Sequence, residues 1–351
     1  MEKGLQESNA KRLFMAGYLR HLSERLVIFV ATIAISVTVV FFAPRLVPGD
    51  PLGALSLKLA QVGGNLGGKQ LVEEYTRRFG LDKSPGEQYI AYLRQLAQGD
   101  MGYSISVFPT TVGDLVKQAI PWSMGLLVMT TLISWSLGSI IGGIVGWWGG
   151  RSRWLQGLVP VALVLYTIPY YILAIILVFL LAFLWPVFPL SGNYSIGLQP
   201  ALTPAFILDL LHHAALPALS IVLVSLGWWF LSMRSLITSI KGEDYITWAE
   251  AKGLPPRRIF WAYAFRNALL PQATGLALSL GQIVGGALIT ETIFAYPGLG
   301  YLIFNAIKSL DFPVIQGSIL LVIVSVATAN LVIDLAYPLI DPRIRYGVSG
   351  R

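Results

Sequence analysis

Residues 63–70, "GGNLGGKQ", come closest to a chemical motif in this chain. Gly63, Gly68 and Lys69 have the spacing of a P-loop, in which backbone amides and a lysine hold the phosphates of a nucleotide. A P-loop also needs a Ser or Thr after the lysine to hold Mg²⁺, and Gln70 stands there instead. The preceding residues are more helical than extended, although the motif should follow a buried strand. We therefore interpret this segment as a glycine loop and not as a nucleotide site.

The histidines and acidic residues do not form a recognisable catalytic or metal-binding pattern. His212 and His213 are sequence neighbours that face different ways on a helix, and the i, i+4 pair of a zinc helix is absent. No serine stands in a nucleophile-elbow pattern, and the chain has no cysteine. The acids near apolar runs fall at the predicted ends of helices, away from the centres where a proton relay would need them. The sequence thus predicts no catalytic residue, no metal site and no cofactor bound by this chain.

The composition is that of a membrane protein. Of the 351 residues, 55% are hydrophobic and 12% are charged, whereas soluble domains carry about 25% charged residues. A net charge of +7 could indicate nucleic-acid binding in a soluble protein. In a membrane protein the same excess is expected from basic residues kept on the cytoplasmic side. We therefore predict a multi-pass protein of the inner (plasma) membrane that binds the lipid bilayer and no nucleic acid.

Charged residues divide the apolar sequence into segments long enough to cross a membrane. A transmembrane helix needs about 20 apolar residues, because its backbone polar groups must be satisfied within the segment. The run after Arg153 could hold two spans, but its second half is rich in Pro, Gly, Ser and Asn, which interrupt helices. The sequence thus predicts an all-α protein with six transmembrane helices. Their uncharged runs lie between Arg25 and Arg45, Lys117 and Arg151, Arg153 and Asp209, Asp209 and Arg234, Arg266 and Glu291, and Asp311 and Asp334.

Basic residues predict the orientation of these helices. With the N-terminus in the cytoplasm, the two short outer loops contain only Lys308 among Lys and Arg residues. The long stretch after the first helix is then outside, and loops of that length largely escape the charge bias. We predict that both termini are cytoplasmic. The predicted parts are a cytoplasmic segment 1–25, a first transmembrane helix 26–47, an extracytoplasmic insert 48–118 and a core transmembrane domain 119–351.

The insert contains two segments with the spacing of short amphipathic helices. They are "KQLVEEYTRRFG" and "EQYIAYLRQLAQGD", and Gly80 and Gly99 stand where each helix would stop. About seventy residues bury too little apolar surface to be stable alone. We expect the insert to pack on the membrane domain or on a partner.

Glycines repeat every four residues in the second predicted helix, at Gly138, Gly142, Gly146 and Gly150. A bare face of this kind lets another helix approach closely in lipid. We predict that the face packs within the helix bundle, with the lining of a pore as the alternative.

The segment from Lys241 to Asn267 is the most polar internal part of the predicted membrane domain. It begins with a short helix that has two acids in its first turn, and Gly253 stands where a left-handed residue would end it. Pro255 and Pro256 then fix a bend, and a second amphipathic helix begins at Arg257. Such helices can lie on lipid headgroups. A helix that only anchors the chain to lipid gains little from a fixed bend, whereas an element that transmits force to the neighbouring transmembrane helices needs one. The pattern therefore favours docking to a partner.

Motifs along nearly the whole chain resemble one family. The chain is similar to the permease subunits of ABC importers of the dipeptide/oligopeptide class. The similar segments are "VPGDP", "FGLDKS" and "GDMGYS" in the first half, then "AEAKG", "RNALLP", "ETIFAYPGLG", "DFPVIQG" and "DPRIRYG".

The resemblance implies the type I importer permease fold, with the "EAA" loop at 237–267 as a coupling helix that inserts into a groove of a cytoplasmic ATPase. Thr247 and Trp248 replace the Glu and the first Ala of the general pattern, and Glu250 replaces a frequent basic residue. The resemblance therefore still implies that the loop docks to an ATPase, but it does not imply any particular charge contact between them. The coupling residues that the resemblance implies are Ala249, Glu250, Ala251, Lys252, Gly253, Leu254, Arg257 and Arg258.

The resemblance also implies partners and a division of labour. The partners would be a second homologous permease, two ATPases and an extracytoplasmic substrate-binding protein. The size and predicted outer location of the insert from Gly49 to Asp114 make it the expected docking surface for the binding protein. This chain would not be an enzyme, since ATP and Mg²⁺ would be bound by the ATPase subunits.

The substrate is the least determined property. Peptides are the default of the resembling class, oligosaccharides the alternative, and nickel a further cargo of its members. Outside that class, a stand-alone secondary transporter would need a midplane ion site, and a membrane scaffold for an enzyme would lack an aqueous cavity. The residues expected along a translocation path are Tyr166, Tyr170, Tyr171 and Ser225, with packing between helices as the alternative for the three tyrosines.

Overall fold

The computed structural model describes residues 2–46, 73–74, 76–77, 79–281, 283 and 287–340. The "GGNLGGKQ", "VPGDP" and "DPRIRYG" segments lie outside these residues. In chain order the helices are α1 (Glu2–Leu46), α2 (Pro85–Ala97), α3 (Val112–Trp148), α4 (Arg153–Thr167), α5 (Tyr170–Val178), α6 (Pro204–Ile240), α7 (Asp244–Ala251), α8 (Pro256–Ile259), α9 (Arg266–Gly281), α10 (Leu288–Ile293), α11 (Leu299–Lys308) and α12 (Phe312–Ile340).

The chain forms two compact units, Met1–Val116 with Asn305–Arg351, and Lys117–Phe304. In the first unit α1 packs along α12, and Arg25 pairs with Asp334 at 3.1 Å. This pairing is why α12 groups with the N-terminal part and not with the rest of the predicted core at 119–351. The domain boundaries of the sequence analysis stay predictions.

Helix α2 confirms one of the two amphipathic helices predicted in the insert. A capping box begins it: Ser84 Oγ accepts a hydrogen bond from the Glu87 amide at 3.4 Å, and the Glu87 carboxylate accepts one from the Ser84 amide at 3.0 Å. Gly99 follows its end with φ +74°, in the left-handed region. Of the other predicted helix, residues 73–74 and 76–77 are described and helical.

A buried carboxylate joins two distant motifs within the first unit. Asp311, at the start of α12, accepts hydrogen bonds from Ser104 Oγ at 2.5 Å, Ser106 Oγ at 2.6 Å and the Ser106 amide at 2.9 Å. Asp311 and Ser104 are both 0% exposed. Because a buried charge needs such donors in place of water, these bonds hold the "GDMGYS" and "DFPVIQG" segments together.

A second buried carboxylate fixes the turn between α10 and α11. Glu291 accepts hydrogen bonds from Ser123 Oγ at 2.7 Å and the Gly300 amide at 2.7 Å. Ser123 Oγ in turn accepts one from the Leu299 amide at 2.7 Å. A Cβ atom at Gly298 would overlap the Glu291 carboxylate, so a side chain there would displace the carboxylate from its hydrogen bonds. The sequence analysis placed this acid at a helix end without assigning it this role.

Helices α3 and α6 of the second unit approach each other at the predicted glycine face. A Cβ atom at Gly138 would lie 2.6 Å from Trp229 Cβ, and one at Gly142 would overlap the Phe230 carbonyl. At Gly150 nothing lies within 4 Å. Packing within the bundle is therefore confirmed for Gly138 and Gly142, as expected for small residues between helices.

The third predicted span is broken. Ile168 has ψ 126° and Pro169 is the N-cap of α5, so the chain turns by 96° between α4 and α5. The reason is that a proline excludes the helical region for the residue before it. A π-helical turn, Phe179–Leu184, continues α5.

The described residues contain four helices long and apolar enough to cross a membrane, or five if the bent pair is one span. They are Leu22–Leu46, Val112–Arg151, Pro204–Ile240 and Phe312–Val332, with Arg153–Thr167 and Tyr170–Leu184 as the pair. In the predicted fifth span, α9 ends at Gly281 after 16 residues, and residues 282 and 284–286 lie outside the described part. The chain is thus an all-α membrane protein, and the number six stays a prediction.

We expect Gly142→Ala to destabilise the protein by about 1–3 kcal/mol, because the added methyl group would force α3 away from the Phe230 backbone. Thermal unfolding of the purified chain, followed by tryptophan fluorescence, measures the change. Gly125→Ala in the same helix is the matched control, since nothing lies within 4 Å of a Cβ there. Equal melting temperatures for the two variants would contradict the packing described.

Candidate functional site

The segment between α6 and α9 forms two short helices joined by a fixed bend. Helix α7 ends before Gly253, whose φ of +71° confirms the predicted left-handed stop. Pro255 is the N-cap of α8 with ψ 143°, and Pro256 occupies its first turn. Helix α8 continues as a π-helical turn, Phe260–Phe265, into α9.

One face of α7 is buried. Ile246 is 2% exposed and Ala249 is 3% exposed. Both belong to a hydrophobic cluster that contains Phe260 and the α6 residues Met233 and Ile237. The spacing of three residues between Ile246 and Ala249 places them on the same side of the helix. This cluster therefore holds α7 against the membrane helices of its unit.

The opposite face of α7 and the bend are accessible. Trp248 is 69% exposed, although large aromatic side chains gain free energy when they are buried. Leu254 is half-buried against the cluster. Of the predicted coupling residues, Ala249 is buried, and those that are exposed are Glu250, Ala251, Lys252, Gly253, Arg257 and Arg258. The segment therefore combines a buried anchor with an exposed aromatic and charged surface.

Lys241 fixes the entry to this segment. Its ammonium donates a hydrogen bond to the Trp147 carbonyl and lies 5.2 Å from the centre of a Trp147 ring. Burial lowers the pKa of the Lys241 ammonium from its ordinary value, and the neighbouring Arg151 lowers it further. The protonated ammonium points at a backbone carbonyl near the C-terminal end of α3, where the helix dipole favours a cation.

The structure brings together two of the four predicted path residues. Tyr166 and Ser225 line one cavity of about 290 Å³. Tyr170 and Tyr171 follow the break before α5, their rings are 6.0 Å apart, and neither lines this cavity. The described lining carries hydroxyl and indole groups and no charge. Its other residues are Thr131, Ser134, Val224, Trp228, Trp229 and Ser279.

The described residues contain no group of three or more His, Cys, Asp or Glu side chains that could hold a metal ion. The long apolar helices define a polytopic membrane protein, and an uncharged cavity and an exposed polar loop are features that a transport protein would need.

The comparisons with known proteins specify the family. Residues 138–346 match the family described as binding-protein-dependent transport system inner membrane component. The chain is 32% identical over 342 residues to the di/tripeptide transport system permease protein of Pseudomonas aeruginosa, covering 93% of this chain and 99% of that protein. It is 33% identical to the probable D,D-dipeptide transport system permease protein of Escherichia coli, covering 94% and 97%. For the dipeptide transport system permease protein of Escherichia coli, the identity is 30% and the coverage 93% and 99%.

This chain belongs to the family of binding-protein-dependent transport inner-membrane components, the permease subunits of ABC importers. The residues matched by the family include α6 to α9. They therefore include the exposed loop and the cavity residues Tyr166 and Ser225. The permease subunit of such a transporter is not itself catalytic.

We expect Ile246→Ala to destabilise the purified chain by about 2–4 kcal/mol, because the substitution leaves a cavity in the cluster beneath α7. Thr247→Ala, at the exposed neighbouring position, should stay within about 0.5 kcal/mol of the unchanged chain. Both are compared by thermal unfolding. An Ile246→Ala chain as stable as the Thr247→Ala chain would show that α7 is not anchored as described.

Proposed function

We propose that this chain is one of two permease subunits of an ATP-driven importer and forms part of the membrane path for peptides. The observation that carries the proposal is the similarity, over nearly the whole chain, to permeases named for di- and tripeptides. Those names favour peptides over the oligosaccharides and nickel that the family resemblance also allowed. The uncharged cavity beside Tyr166 and Ser225 suits groups such as peptide amides, and we assign it to the path.

We further propose that the exposed face of α7 docks into a cytoplasmic ATPase subunit. Trp248 would enter a groove of the partner, while the nearby charges Glu250, Lys252, Arg257 and Arg258 would orient it. Closure of the two ATPases would then pull α7. The buried cluster would pass this displacement to α3 and α6, and two arrangements of the membrane helices would exchange.

The remaining parts of the proposal follow the charge distribution and the family. The chain has six transmembrane helices, both termini in the cytoplasm, an extracytoplasmic insert at 48–118 and a core domain at 119–351. A second permease and a substrate-binding protein complete the complex, and the binding protein docks on the insert. ATP and Mg²⁺ are bound by the ATPase subunits, and this chain needs no cofactor.

The proposed orientation can be tested with single cysteines, because the natural chain has none. We expect Lys252→Cys to react with a membrane-impermeant maleimide in inside-out vesicles and not in intact right-side-out vesicles. Gln98→Cys, on the insert, should show the opposite pattern. Labelling of both positions from the same side would contradict the orientation.

We expect Trp248→Ala to weaken the association with the ATPase subunit about tenfold or more, since aromatic residues of this kind often dominate an interface. Co-purification of the ATPase and uptake of a labelled dipeptide are measured in the same cells, with the membrane level of the permease determined by immunoblot. Trp154→Ala removes another exposed tryptophan, 89% exposed and outside the loop, and should leave both unchanged. Equal association in both variants would exclude α7 as the docking site.

A further inference from the structure

A second cavity lies within the first unit, away from the coupling loop and from the cavity beside Ser225. It has a volume of about 320 Å³, which is the size of a small-ligand site. The end of α1, the helix α2, the loop after α2 and the start of α12 enclose it. Its walls include the aromatic rings of Phe41, Tyr92, Tyr103 and Phe312.

Arg45 supplies a cation to this cavity. Its guanidinium donates hydrogen bonds to the Phe41 carbonyl at 2.6 Å and to Gln88 Oε1 at 3.0 Å, and it lies 3.6 Å from the centre of the Phe41 ring. A guanidinium has five N–H groups, so donors remain after these two bonds. None of the described carboxylates lies within ion-pair distance of Arg45.

Two further polar groups of the lining are buried without a hydrogen-bond partner in the part of the chain that the structure describes. They are Gln316 Nε2 and Tyr92 Oη, and Gln316 is only 5% exposed. Burial raises the pKa of Tyr92 to about 12, so the hydroxyl keeps its proton and can donate. Unpartnered buried donors are costly and uncommon in folded proteins, and these two atoms mark the lining as polar without reaching the interior of the cavity.

The charges around the cavity favour an anion. Arg45, Arg77 and Lys83 line it, whereas Asp100 is the one carboxylate among the described lining residues. That carboxylate already accepts a hydrogen bond from the Gly102 amide at 2.8 Å. Cations and free donors beside aromatic walls match a molecule with an anionic head and an apolar body.

We propose that this cavity binds an oxyanion, a carboxylate or phosphate, carried by a small amphiphilic molecule. Arg45 would hold the oxyanion with its remaining N–H groups, and the aromatic rings would cover the apolar part. The oxyanion could be the terminal carboxylate of a short peptide. It could equally be a lipid phosphate, because Arg45 lies at the end of the candidate span Leu22–Leu46, where headgroups are found. The site is separate from the cavity beside Ser225 that we assign to the path, so the proposal stands whether or not that assignment and ATPase docking are correct.

The test measures binding to the purified full-length chain in maltoside detergent by the shift of its thermal unfolding. One arm compares the dipeptide Ala-Phe with its C-terminal amide. The other compares dihexanoyl phosphatidylglycerol with dihexanoylglycerol, which lacks the phosphate. We expect at least one oxyanion probe to stabilise the chain and its neutral counterpart to have no effect. Binding of Ala-Phe alone would identify a carboxylate site, and binding of the phospholipid alone a phosphate site.

Variants assign the binding to this cavity. Arg45→Gln should weaken it about tenfold or more, because a charge-assisted hydrogen bond is lost. Arg94→Gln, an exposed arginine of α2 that does not line the cavity, is the matched control. If Arg45→Gln fails to fold, Lys83→Gln, which removes another cation of the lining, should still weaken binding. The proposal is overturned if neither oxyanion probe binds, if the neutral probes bind equally well, or if the cavity variants that fold bind like the control.

Discussion

Direct backbone contact between α3 and α6 determines where the rest of the second unit lies. A Cβ atom on Gly142 would collide with the Phe230 carbonyl, so the backbones of the two helices are in contact at this point with no side chain between them. This closeness brings Trp147 of α3 and Met233 of α6 into one buried cluster. Ile246 of α7 packs on the same cluster, so a short helix that is exposed on one face is held by two membrane helices at once. A displacement of α7 must therefore move or strain the cluster, which is what a coupling element requires.

Two buried carboxylates have a comparable role in the loops. Glu291 and Asp311 are 0% exposed, and hydroxyl and amide donors from residues distant in sequence surround each of them. An acid in so apolar a chain suggests transport chemistry at first sight. Its hydrogen bonds explain it better as an anchor, since a carboxylate accepts several donors and can hold two loops in one geometry. The lining of the Arg45 cavity differs in this respect, because donors remain there without acceptors.

Much of the fold class and part of the site could be predicted from the sequence, because the signals are local. Apolar runs, the left-handed Gly253 and the prolines of the bend each depend on a few neighbouring residues. The break at Pro169 is equally local, because a proline restricts the residue before it, but the hydropathy of the run did not reveal it. The segment from Lys241 to Asn267 was predicted correctly as two helices around an elbow, but its buried and exposed residues were not separated.

By itself, the sequence determined that this is an all-α membrane protein of the importer permease family, with a rigid elbow between two of its helices. Only the tertiary structure decided that Ala249 is buried while Glu250 beside it is exposed. It also decided that Ser104 meets Asp311 across 207 residues of chain, and that Tyr166 and Ser225 share a cavity. The physical reason is the range of the forces: backbone preferences act over a few residues, whereas burial and hydrogen-bond partners depend on which distant surfaces pack together.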